Sequence, residues 1–534
     1  MNKMLQAAGL PKKTTFAFPL LLFVLLLGLY WKTFSYPYIQ DDWANLYYFS
    51  STEERMDFFD YLGTFFIDSG ETFYRPMGKL YFYFIAQIFG ANPIGFRIVD
   101  LLIVFCTAIV AKQIAFRLLN NIALAWLSGA WFVFSSTVWM DPLMWMAGMY
   151  DLGGILFFLL SILLFLKNKG WASASCYLVA ILFKEGPILL PIILFLYAFM
   201  LEEKSSTGVK KVILGAKRIL PHGIVLLIYS FLRFEALSKG VLPTETKAYN
   251  IHLWGMHVFT NIFKYLVWTL EGLTGFANLH ENRLYALLIL LIGVMLSLVL
   301  WKEIWRNSSH RNVLRSKVAE NYPLILFLFS WGTICLMTVL FLPNHAYRYY
   351  LIYSYPAFIL VLVLFLNLAF EIFLSRKTLG AILGVSLVLI YLSNMISFNL
   401  FLGNGLRAPV LSGSNALVQR GDTVRLMLSY VQQELKKPPN NSLFVFDGVE
   451  AGASLYRGID SAAFRGKNFL CYVYRDPSIE VMDLHGRFYG DLKRKKSIIP
   501  ERAVVLGLKG RKINRYNLEE VYDRHSAFYM DQKF

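Results

Sequence analysis

Long uncharged apolar runs recur through the first three quarters of the chain and cease near residue 402, where short apolar stretches begin to alternate with polar ones. Roughly 20 apolar residues are needed to cross a bilayer as a helix. Runs of that order lie near 16–34, 96–117, 121–140, 150–166, 170–184, 186–201, 218–237, 284–301, 322–342, 349–372 and 378–402. The pattern predicts a polytopic α-helical membrane module of about eleven transmembrane helices over 1–402 and a C-terminal α/β domain over 403–534. Lys184-Glu185-Gly186-Pro187 interrupts a run that is too long for one helix and too short for two untilted ones. The segment 35–95 is aromatic and interrupted, and its runs Phe58–Phe66 and Tyr81–Phe89 predict two helices lying in the membrane interface. Asn261, Lys264 and Glu271 make 258–275 a poor span and an acceptable in-plane or re-entrant helix. In the tail, Ser442–Phe446, Phe469–Tyr474 and Ala503–Leu508 read as strands and 420–436 as a helix.

Composition agrees with this reading: 57% of the 534 residues are hydrophobic and 16% charged, too apolar for a soluble protein of this size. The net charge of +17 sits largely in short loops between runs, where it sets topology and meets anionic lipid, so nucleic acid is not the implied partner. Lys3, Lys12 and Lys13 precede the first run, which lacks a small-residue cleavage site and reads as a retained anchor. With a cytoplasmic N-terminus, Lys112, Arg117, Lys167, Lys169 and the clusters Lys204–Arg218 and Lys302–Lys317 fall inside, while the loop at 140–150 has no Lys or Arg. An odd number of spans then places the C-terminal domain outside the cytoplasm. Cys106, Cys176 and Cys335 lie in apolar runs and Cys471 stands alone in the tail, so no disulfide framework is implied. No His or Cys spacing suggests a structural metal, and no cofactor is implied.

The candidate chemistry gathers on the external face. Asp41 and Asp42 follow the first run almost directly, fixing two adjacent carboxylates at the membrane boundary. Mutual repulsion and partial burial would suit one of them to proton transfer, while the plainer alternative is that they cap the helix starting near Trp43. Arg75 precedes Pro76 at the start of the second interfacial helix, a place where a cation gains nothing from the helix dipole. Lys184 and Glu185 mark the apex of a hairpin, as a structural ion pair or a substrate contact. His345 and Arg348 sit at the mouth of a span, where snorkelling alone would account for an Arg. Carboxylates and cations at headgroup depth suit a reaction on a phosphate-bearing lipid: cations stabilise the leaving phosphate and a carboxylate takes the proton of the attacking hydroxyl.

Several motifs carry a resemblance. Tyr38-Ile39-Gln40-Asp41-Asp42-Trp43, Tyr74-Arg75-Pro76-Met77, Ile88 to Arg97, Trp145-Met146-Ala147-Gly148-Met149-Tyr150-Asp151-Leu152 and Leu182-Phe183-Lys184-Glu185, with an echo at His345 to Tyr350, follow one another in a characteristic order. In these the chain resembles the GT-C superfamily of integral-membrane glycosyltransferases, in particular the protein O-mannosyltransferase-type and related bacterial branch. The resemblance implies a polyprenyl-phosphate sugar donor and inverting transfer on the external face, with an acidic residue of the first-loop pair as base. It implies Asp41 in that role, and Arg75 near the lipid phosphate. Asp-Asp stands where the mannosyltransferase branch commonly has Asp-Glu, and Met149 where close relatives have an Arg. The acceptor is left open among glycolipid, glycan and protein. The rival readings are a lipid-linked glycan transporter or flippase, for which no inverted repeat is found, and a non-catalytic membrane protein whose external domain binds a glycan or a partner.

Overall fold

A computed structural model describes residues 14–50, 58–66, 73–90, 92–202, 208–238, 251–275, 302, 306–373, 376–403, 415–447, 459, 461–484, 502–509 and 512–517. Among these, five helices are long and apolar enough to cross a membrane: Ala17–Ser35, Pro93–Leu119, Met146–Leu166, Gly208–Ala236 and Ser308–Leu340. The shorter apolar helices Gly170–Phe183, Gly186–Glu202, Tyr355–Leu368 and Gly384–Asn399 coincide with the runs at 170–184, 186–201, 349–372 and 378–402. The run at 284–301 lies outside the described residues.

Helix ends follow local chemistry. Pro93 opens its helix at the first position, and the Asn92 side chain accepts the Ile94 N–H at 3.0 Å. That helix closes on Asn120 in the left-handed conformation (φ 50°), and Asn121 at once caps the next by accepting from Ala123 and Leu124.

The run 121–140 is not one straight span. Ile122–Phe134 and Ser136–Met144 meet at 49° around Ser135. Asn394 Oδ1 accepts both the Ser136 N–H (2.8 Å) and its hydroxyl (2.9 Å), and the Trp139 indole N–H donates to Phe132 O at 2.7 Å. Groups that the bend releases are thus satisfied inside the protein, the condition for irregular backbone at membrane depth. The expected short loop at 140–150 is therefore corrected to a buried helix followed by the turn Met146–Gly148. The segment 258–275 forms the helix Met256–Thr274, with Asn261 and Glu271 buried and its apolar Phe259 and Phe263 exposed.

In the tail, a four-stranded sheet has the order β2-β1-β3-β4: β1 (Leu443–Asp447) pairs in parallel with β2 (Glu480–Leu484) and β3 (Ala503–Lys509), and β4 (Lys512–Tyr516) runs antiparallel to β3. Both faces are apolar: Leu443, Val445 and Val505 pack on one side and Phe444, Phe446, Val504 and Leu506 on the other, as for a covered parallel sheet. The expected strand at Phe469–Tyr474 is instead a helix, Asn468–Tyr474, which places Phe469, Leu470 and Cys471 together in the core. The apolar core is continuous from Leu22 and Leu26 in the first span to Phe464 and Phe469 in the tail, so the sheet domain rests on the membrane module rather than standing apart.

Candidate active site

The first external loop is held by its second carboxylate. Asp42 is fully buried; Oδ2 accepts the N–H of Ile39 (3.0 Å) and of Met146 (3.3 Å), and Oδ1 that of Ala147 (2.9 Å). Burial pushes its carboxyl up to about 7, against the opposing influence of Arg97 and the three amide bonds. Arg97 is also fully buried and donates to the Leu143 and Met144 carbonyls, which ties the end of the Ser136–Met144 helix to the start of the Pro93 helix. Gly148 is required here, because a Cβ would lie 2.4 Å from the Pro142 Cα. Asp41 points the other way: it is partly exposed, and its Oδ1 lies 3.0 Å from Nε of Arg465 in the tail. Titration range alone would select Asp42 as a base, but both its oxygens are engaged and closed to a substrate. Reach comes first in general-base catalysis, and it favours Asp41.

A second set stands along the same turn. Arg75 forms a two-point bridge to Glu185, Nη2–Oε1 at 2.6 Å and Nε–Oε2 at 3.1 Å, and lies over the rings of Phe73 and Tyr150. Lys184 leaves its helix in an extended conformation and donates to both oxygens of Asp151 at 2.7 and 2.8 Å, with the rings of Tyr349 and Tyr350 about 5 Å away. Lys184 and Glu185 thus do not pair with each other; each closes a different bridge. Gly186 makes the hairpin possible, since a Cβ would meet the Tyr353 ring at 2.5 Å. Burial would raise the Glu185 carboxyl, yet Arg75 and Lys184 bring it down to about 2. His345 packs on Tyr347 and Tyr350, and burial together with the charges of Lys184 and Arg75 lowers it to about 4, leaving it neutral.

Arg348 does not snorkel. It is buried with its Nη2 3.3 Å from the fully buried Glu271, and it interacts electrostatically with Asp141. Glu271, which made 258–275 a poor span, is thus the counter-charge of a residue singled out 77 positions later.

Segment 145–151 joins the two sets: its amides at 146 and 147 hold Asp42, and its Asp151 holds Lys184. Asp151 and Arg97 stand within the recognised motifs without having been assigned a role, and their signal is a charge inside an apolar run. Arg465 carries no such signal. A cavity of about 410 Å3 lies between the first loop and the tail, lined among others by Tyr36, Tyr38, Trp43, Ile94 and Tyr472. Among the described residues, no three His, Cys, Asp or Glu side chains are grouped so as to hold a metal ion.

No protein-family model and no curated protein sequence matches the chain. Among solved structures, the chain is similar to the crystal structure of ArnT from Cupriavidus metallidurans bound to undecaprenyl phosphate, at 12% identity and a TM-score of 0.44, over 91% of this chain and 89% of that one.

Proposed function

We propose that this protein is a GT-C-type membrane glycosyltransferase that moves a sugar from a polyprenyl-phosphate donor to an acceptor hydroxyl on the extracytoplasmic face, with its N-terminus in the cytoplasm. One observation carries the reading: the motif residues at 41–42, 75, 145–151, 184–185 and 345–350, far apart in sequence, interlock through direct bonds and ring contacts. A reaction site needs that convergence, whereas separate helix caps and snorkelling cations would not produce it.

In this reading Asp41 accepts the proton of the acceptor hydroxyl and Asp42 fixes the loop. Arg75 faces the lipid phosphate that leaves, and Lys184, bonded to both oxygens of Asp151, fixes the segment that carries Tyr150 beside it. The Glu185 bridge uses Nε and Nη2 of Arg75 and fixes the plane of the guanidinium, which leaves the N–H groups of Nη1 to donate to an anion lying in that plane. Inversion follows if the hydroxyl attacks the anomeric carbon opposite the departing phosphate, through a transition state with oxocarbenium character.

The test is transfer itself. Purified protein in lipid nanodiscs would be incubated with a panel of radiolabelled polyprenyl-phosphate sugars and extracted envelope glycolipids, glycans and proteins. The expected result is release of polyprenyl phosphate and a labelled acceptor with wild type, and both at rates about a hundredfold lower with Asp41→Asn. Donor that is bound or moved across the bilayer without cleavage would replace this reading with the transporter one.

A further inference from the structure

Two segments with left-handed backbone meet over the first-loop carboxylates. Gln40 has φ 55°, immediately before the helix that begins at Asp41, and Arg465 and Gly466 have φ 52° and 62° on the tail side. Left-handed non-glycine residues are uncommon and persist where their surroundings fix them. Here the Gln40 N–H donates to Ala463 O at 2.9 Å, and the ring of Trp43 packs edge-on to Phe469 at 4.7 Å. Between these two contacts Arg465 Nε reaches Asp41 Oδ1 at 3.0 Å. Among the described residues Asp41 Oδ2 has no partner, so one oxygen is held and the other is open.

We propose that Arg465 is a positioning residue for the transfer reaction. By holding Oδ1 it presents Oδ2 to the acceptor hydroxyl, which makes the tail domain a working part of the site rather than a separate binding module. The inference rests on the transfer reading above.

Exposure separates this role from a structural one. Arg465 is 62% exposed and Asp41 38%, and an exposed pair contributes little to stability. Its loss should therefore leave the fold intact while the carboxylate spends more of its time away from attack geometry, at a cost in rate of about two- to fivefold, the most that an exposed pair can hold in place. Buried Asp42, a residue away, cannot take over, because both its oxygens bond backbone amides.

The experiment uses the full-length protein in nanodiscs as wild type, Arg465→Ala and Arg465→Lys. Expected for Arg465→Ala are an unchanged unfolding temperature, unchanged donor affinity, a fall in kcat of about two- to fivefold and faster amide exchange over 36–47. Arg465→Lys should restore part of kcat, because the charge returns without the guanidinium geometry. Wild-type transfer with an undiminished kcat in Arg465→Ala overturns the proposal and leaves the transfer reading standing. No transfer by wild type overturns the transfer reading. The exchange measurement needs no substrate, so unchanged exchange over 36–47 in Arg465→Ala refutes the holding role in either case.

Discussion

At the cation end of the bundle Lys184 touches both oxygens of Asp151 at 2.7 and 2.8 Å, with side-chain exposures of 11% and 2%, whereas at the seam with the tail Arg465 touches Asp41 once, at 3.0 Å, with exposures of 62% and 38%. The first pair is shut away from water, and its mutual attraction has to offset the desolvation of two charges. The second remains in water, where such pairs contribute about 0–1 kcal/mol. The comparison separates two tasks. Buried bridges fix the geometry of the helical bundle, and on the transfer reading the exposed pair leaves a carboxylate free to react.

The largest expected effect comes from breaking the buried bridge on one side. Lys184→Met leaves Asp151 buried and unpaired, and should destabilise the protein by about 3–5 kcal/mol or prevent its accumulation. Lys184→Met with Asp151→Leu should recover much of that loss, as measured by the midpoint of denaturant or thermal unfolding in detergent. A single variant as stable as wild type would show that the bridge contributes no net geometry-fixing energy.

Next is the exposed carboxylate. On the transfer reading Asp41→Asn keeps the fold and donor binding and lowers turnover about a hundredfold, or about 2.7 kcal/mol of barrier. Its neighbour should fail differently. Asp42→Asn sets an amide NH2 against one or more of the three backbone donors, with an expected loss of roughly 1.5–3 kcal/mol in stability. The pair is resolved by measuring both quantities for both variants: turnover falls at constant stability for 41, and stability falls for 42. Equal profiles would erase the division of labour between them.

How much of this was legible beforehand depended on whether the signal was local. Apolar runs gave most of the described helices, because bilayer thickness fixes their length. The bend at Ser135 was not legible: no Pro or Gly marks it, and it exists because Asn394, 258 residues on, satisfies the freed amide. The strand expected at Phe469–Tyr474 is a helix because a short apolar run has no periodicity to decide the matter, and its packing against Trp43 is a tertiary fact. Among site residues, Asp41, Asp42, Arg75, Lys184, Glu185 and Arg348 drew attention as charges beside spans, whereas Arg97 and Asp151 stood only inside motifs and the partners gave no signal: Glu271 counted only against a span, and nothing local joins Arg465 to Asp41. Ion pairing across 77 or 424 residues is set by packing, which a single sequence does not display.

The smallest expected effect sharpens the comparison at the Arg75–Glu185 bridge, which lies between the two extremes with side-chain exposures of 16% and 32%. Burial alone would raise the Glu185 carboxyl, but Arg75 and Lys184 hold it at about 2, below the roughly 4.3 of a free Glu. Because the folded value is depressed, the bridge contributes stability that is fully present above about pH 4.3 and is lost as pH falls toward 2, where the unfolded chain has already taken up the proton. Arg75→Met removes the main cation, so the variant should unfold at a lower temperature than wild type at pH 6. That gap should then narrow steadily between about pH 4.3 and 2.5, since Glu185 then contributes little in either protein. Other carboxylates titrate over the same range in both proteins and cancel in the difference. A gap that stays constant down to pH 2.5 would mean that Arg75 acts through its packing on Phe73 and Tyr150 rather than through the charge of Glu185.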